Sequence, residues 1–89
     1  MVTTIKRRTD LTVRDLGSEI IIYDEKAETF HILNRSARSI WLLLDEESNS
    51  GALQERYAGL YPNESRGRLE RDVLNMLEEF GRRGLLLNL

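Results

Sequence analysis

Apolar residues in the first third of the chain recur with the period of extended strands. Leu11-Thr-Val-Arg14 is short and β-prone, and Glu19-Ile-Ile-Ile-Tyr-Asp24 is a β-branched run. Thr29-Phe-His-Ile-Leu33 alternates, with Phe30 and Ile32 on one face and Thr29, His31 and Leu33 on the other. The connections, Gly17-Ser18 and Asp24 to Glu28, are short enough to force antiparallel neighbours. The pattern predicts a three-stranded antiparallel meander. Ile20 and Ile22 alternate with Ile21 and Tyr23, so the middle strand offers apolar side chains to both faces and each face needs a cover.

After Asn34, a favourable N-cap, the period changes. Ala37, Ile40, Trp41 and Leu44 fall at helical spacing, with Arg35, Arg38 and Ser39 on the other side, which predicts a helix over 35–44. Ser50 can cap a second, short helix with Leu53, Tyr57 and Leu60 inward, stopped by Pro62. From Ser65 the spacing of Leu69, Val73, Met76, Leu77 and Phe80 predicts a longer amphipathic helix, closed by Gly84 at the position that favours a left-handed residue. Leu85-Leu-Leu87 then returns to the core as a short strand. Strands and helices in separate runs give an α+β fold, a three-stranded antiparallel meander followed by three helices, like a winged helix-turn-helix. The expected core is Ile20, Ile22, Phe30, Ile32, Ile40, Trp41, Leu44, Leu53, Leu60 and Leu77.

Eighty-nine residues close about one such core, so the chain reads as a single domain over 1–89, with residues 1–8 the one stretch that has the character of a disordered tail. Thirteen Lys and Arg against fifteen Asp and Glu leave a net charge of -2, the wrong sign for a protein that must neutralise many phosphates, so nucleic acid is not the expected partner. Without cysteine there is no disulfide framework and no thiolate nucleophile. No apolar run approaches membrane-spanning length, and the expectation is a cytoplasmic protein with no membrane partner.

Candidate chemistry is sparse. His31 is the single histidine, and no serine stands in a nucleophile motif that could use it. The acidic groups Asp24, Glu25, Glu28 and Asp45, Glu46, Glu47 lack the spaced ligands and turn glycine of a calcium loop, and they read as solvated turns. The glycines of Gly81-Arg-Arg-Gly84 leave a helix instead of entering one, so they do not make a phosphate cradle. No catalytic residue, metal site or cofactor is expected. Two binding readings remain. Arg66, Arg68 and Arg71 at the start of the third helix would suit DNA, but Glu70, Asp72, Glu78 and Glu79 share that helix. The other reading is peptide: the last strand of a meander, Thr29 to Leu33, has an unpaired edge on which another chain can add a strand.

These residues also resemble a family. Glu19 opening a strand, Leu33-Asn34, the small residue Ala37, Ile40-Trp41, Asp45, Asp72-Val73, Leu77 and Gly84-Leu85-Leu86 are similar to the pattern of the small PqqD-like proteins, the RiPP recognition elements, over roughly residues 11–87. The resemblance implies a non-catalytic peptide chaperone that holds the leader segment of a ribosomally made precursor peptide and presents it to a modifying enzyme or leader peptidase. It implies that the leader lies as an added antiparallel strand on Thr29, Phe30, His31, Ile32 and Leu33, against the third helix. The groove would be walled by Leu69, Val73, Met76, Leu77 and Phe80, a helix with more apolar positions than one stripe needs. A DNA-binding winged helix-turn-helix regulator is the alternative. The same open edge would also let two copies pair as a homodimer.

Overall fold

The computed structural model describes residues 4–45 and 48–88. The expected meander is present: β2 (Thr12–Asp15), β3 (Ile20–Asp24) and β4 (Thr29–Leu33) form an antiparallel sheet in the order β2-β3-β4. The register pairs Ile20 with Leu33 and Ile22 with His31 across β3 and β4, and Val13 with Ile22 across β2 and β3. Gly17, at φ +92°, makes the first turn with its N–H donated to Asp15 Oδ1 at 2.8 Å.

The helices also follow the spacing. In α1 (Arg35–Leu43) the Asn34 side chain accepts the Ala37 N–H at 2.9 Å, the expected cap. The cap of α2 (Ser50–Leu60) is Asn49, not Ser50, and accepts from Ala52 N at 2.9 Å. The last helix, α3 (Arg66–Arg82), ends as expected at Gly84, whose φ is +72°. There Leu85 N donates to Phe80 O and Gly84 N to Gly81 O, the paired bonds that satisfy the last carbonyls of a helix, while Leu85 is fully buried.

One core sits between the inner face of the meander and the helices. Ile20, Ile22, Ile40, Trp41, Leu44, Leu53 and Leu77 are in it as expected, with Trp41 edge-on to Phe80 at 5.4 Å. Three expected members are not. Phe30 and Ile32 are 69% and 61% exposed, because Leu33 and His31 stand opposite Ile20 and Ile22 and so take the covered face. Leu60 is exposed because the inward stripe of α2 continues from Tyr57 to Tyr61, whose rings meet at 5.1 Å.

A second small sheet has no counterpart in the expected elements apart from the returning C-terminal strand. It is formed by β1 (Thr4–Arg7), β5 (Ser48–Asn49) and β6 (Leu86–Asn88), in the order β5-β1-β6. The segment read as a disordered tail is therefore strand from Thr4; residues 1–3 lie outside the described residues, as do Glu46 and Glu47 of the second acidic group. Arg8 explains how a basic segment is held. Its guanidinium donates to Asp24 at 2.7 Å, to Asp10 at 2.9 Å and to the Gly84 carbonyl at 2.9 Å, tying the end of β1 to the hairpin turn and to the end of α3.

Candidate functional site

The order β2-β3-β4 leaves β4 with one side unpaired, so alternate N–H and C=O groups of Thr29–Leu33 point away from β3. Natural sheets blunt such edges with Lys, Pro or bulges. This edge carries none of these devices; it reads Thr-Phe-His-Ile-Leu. Phe30 and Ile32 stand exposed on the outer face, with the Phe30 ring 4.6 Å from that of Tyr23. Thr29 and His31 lie on the inner face, where Thr29 Oγ1 and His31 Nε2 are 3.3 Å apart. Leu33 is buried and closes the strand against the core.

Beside this edge lies a groove. A cavity of about 140 Å³ is lined by Ile32, Leu33, Asn34, Ala37, Met76, Glu79 and Arg83, that is, by the end of β4, the start of α1 and the C-terminal half of α3. Met76, half-buried, gives it an apolar wall. Arg83 donates to Glu79 at 3.0 Å across the helix turn, and this guanidinium holds the Glu79 carboxyl below the usual carboxylate range.

The structure brings together only part of the expected groove wall. Met76 faces the groove, but Leu69, Val73, Leu77 and Phe80 are buried in the core behind it. Helical periodicity finds the apolar stripe without saying how far the helix is rolled toward the sheet, and here the stripe is buried in the shared core, with α3 packed chiefly against α2. Glu79 and Arg83 are the lining residues that the apolar pattern missed. A signal was present: they continue the i, i+3, i+7 row from Met76.

Two of the three arginines that suited DNA are paired with acids. Arg66 pairs with Glu55 and reaches Glu70 at 3.3 Å, and Arg68 donates to Glu64 at 3.3 Å. Another cavity, of about 410 Å³, lies away from the groove between β1 and Trp41. Its Arg7 donates to the Trp41 carbonyl at 3.2 Å and covers the Trp41 ring at 5.2 Å, so it works as a seam between the second sheet and α1. Among the described residues no group of three His, Asp or Glu is placed to hold a metal ion, and no helix is long and apolar enough to cross a membrane.

Comparison with known proteins agrees with this architecture. The family model described as coenzyme PQQ synthesis protein D (PqqD) matches residues 19–86. No curated protein matches the sequence. Among solved structures, the chain is similar to TbiB1 in complex with the TbiA(beta) leader peptide, with a TM-score of 0.80 and 21% identity over 91% of this chain and 93% of that one. It is also similar to lasso peptide synthetase B1 complexed with the leader peptide, with a TM-score of 0.74 and 21% identity over 93% of this chain and 96% of that one. At this level of identity the likeness is one of fold.

Proposed function

The chain belongs to the PqqD family, and on that premise we propose that it is a non-catalytic peptide chaperone, which binds the leader segment of a ribosomally synthesised precursor peptide by strand addition and presents it to a modifying enzyme or leader peptidase. The observation that carries this reading is the unprotected β4 edge beside the groove of Met76, Glu79 and Arg83. Two proteins of the same fold bound to leader peptides support it.

An added antiparallel strand takes its backbone hydrogen bonds from Thr29, Phe30, His31, Ile32 and Leu33. Its side chains alternate. One set enters the groove over Met76, and the other joins Phe30 and Ile32 on the outer face, where two large apolar residues otherwise stand in water. Leu69, Val73, Leu77 and Phe80 act from behind, holding α3 at a fixed distance from β4. About four backbone hydrogen bonds at about 1 kcal/mol each and two or three buried side chains at about 2 kcal/mol each favour binding. Ordering a flexible peptide opposes it by several kcal/mol, which leaves micromolar or somewhat tighter affinity.

The test is amide shift mapping with the leader of a precursor peptide encoded beside this gene. Perturbations should centre on Thr29–Leu33 and Met76. A map confined to α1 and to Lys6, Arg7 and Arg8 would overturn the reading. His31→Pro and Ile32→Pro sharpen it: neighbouring N–H groups on a strand point to opposite sides, so one variant removes a bond to β3 and the other only the outward donor. The variant that stays folded should bind about tenfold more weakly or worse.

A further inference from the structure

The groove does not end at Met76. A cavity of about 270 Å³ begins at the same residue and continues between α1 and α3, lined by Ser36, Ile40, Tyr57, Asp72, Asn75 and Met76. A third, of about 140 Å³, shares Ser36, Tyr57 and Asp72 with it. Three linked cavities thus run up α3 from Arg83 toward its N-terminus, and their character changes from apolar to polar on the way.

Chain direction decides which part of a bound peptide meets the polar end. Arg8 bridges Asp24 and the Gly84 carbonyl, and Asp24 pairs with Thr29, so the C-terminal end of α3 lies at the start of β4. A strand added antiparallel to β4 therefore runs in the same direction as α3. Its C-terminal end leaves past Thr29 and Arg83, and the residues before its first strand position reach the crevice at Ser36 and Asp72.

The cavity that begins at Met76 has one formal charge among its lining residues, that of Asp72; the adjoining one adds Glu64 and Arg68. The Arg68 guanidinium is shared: its Nη1 donates to Glu64 at 3.3 Å, and its Nε stands 4.0 Å from Asp72, a weak ion pair. Asp72 thus keeps only a long, half-exposed ion pair on its own helix, which an entering cation can join or replace. Beside it the Tyr57 hydroxyl is kept protonated: burial first, then the neighbouring Tyr61 and Asp72, push it above the ordinary tyrosine range. Ser36, Asn75 and Tyr57 supply neutral groups that can share a bound ammonium or guanidinium with Asp72.

We propose that the α1–α3 crevice is a second peptide subsite, which takes a Lys or Arg side chain from the leader segment immediately N-terminal to the added strand and pairs it with Asp72. This rests on the strand-addition reading for the position of the peptide, and on the crevice alone for the choice of a cation. The apolar stem of such a side chain would lie on Met76 and Ile40 while its charge reaches Asp72.

The probe is a displayed library of random twelve-residue peptides, selected separately on the wild-type protein and on Asp72→Asn. Wild type should enrich Lys or Arg one to three positions before a run of alternating apolar residues, and Asp72→Asn should keep the apolar run while losing the cation. For one selected peptide, replacing its cation by norleucine should weaken binding to wild type by about five- to tenfold and to Asp72→Asn by less than about twofold, as a half-exposed pair allows. Selected peptides without a cation, or an equal loss in both proteins, would overturn the subsite. Ile32→Lys separates the two readings: cation-dependent peptides whose binding it leaves unchanged would remove the strand and keep the crevice. If no peptide is enriched at all, both fall.

Discussion

The meander has two edges made from the same backbone, and they are finished in opposite ways. β2 ends in Arg14 and Asp15, and Asp15 is clamped by a bidentate pair from Arg38 of α1 at 2.8 and 2.9 Å. That guanidinium, followed by the Gly17 N–H, keeps the Asp15 carboxyl ionised below the usual range, so the clamp holds wherever the protein is near neutral pH. β4 has no charge and no clamp along Thr29–Leu33, and it sets Phe30 and Ile32 in water. A charged, strapped edge resists a further strand, and a bare one invites it. The difference shows that openness at β4 is local to that strand and does not follow from the size of the sheet.

The largest expected effect removes what both edges share. Trp41, 1% exposed and packed on Phe80, is the centre of the core under the sheet. Trp41→Ala should cost roughly 3 to 5 kcal/mol, much of the stability of so small a domain. Urea titration checks it, and an unchanged midpoint would mean that the edges are held without this core.

A smaller effect exchanges the finish of the two edges. Ile32→Lys puts on β4 the kind of charge that β2 already has, at a position exposed enough to accept it. Peptide affinity should fall by about tenfold with the thermal midpoint nearly unchanged, since the buried partner of the loss is on the peptide. Arg14→Ile makes the opposite change on β2. It should leave peptide binding alone and increase self-association, read by sedimentation. Equal effects on binding from the two variants would erase the distinction between the edges.

Much of this contrast is legible in the residues before any coordinates. The strand order, the Asn34 cap, the Gly84 terminus and the choice of Thr29–Leu33 as the open edge all come from short-range rules of period and turn. What failed was the facing of β4. Phe30-His-Ile alternates cleanly, but both of its faces carry an apolar residue, so nothing local tells Leu33 from Ile32; the pairing of Leu33 with Ile20 decides it. The second sheet was illegible for the same reason. Thr4–Arg7 pairs with residues more than forty and more than seventy positions away, at Ser48 and Leu86, and its own composition is that of a basic tail. The groove wall lay between these cases. The periodicity of α3 was right, yet roll about the helix axis buried Leu69, Val73, Leu77 and Phe80 and left Met76, Glu79 and Arg83 at the surface.

The smallest expected effect lies in the turn that feeds the open edge. Glu28 immediately precedes β4 and has φ +54°, in the left-handed region where a Cβ crowds the backbone. Its N–H reaches the Glu25 carbonyl at 3.3 Å, and the turn is further held by Asp24, which accepts the Ala27 N–H at 3.3 Å and is itself held by Arg8. The hairpin geometry is thus imposed from its base, and Glu28 fits it at a conformational cost. Glycine adopts the same angle without that cost but loses more entropy on folding, so Glu28→Gly should stabilise the domain by only about 0.5 kcal/mol, a rise of a few degrees in Tm. Because the turn sets where β4 begins and not what its edge exposes, peptide affinity should stay within about twofold. A gain in stability accompanied by a loss of binding would show that the open edge depends on strain in its own turn, and β4 would then differ from β2 in conformation as well as in side chains.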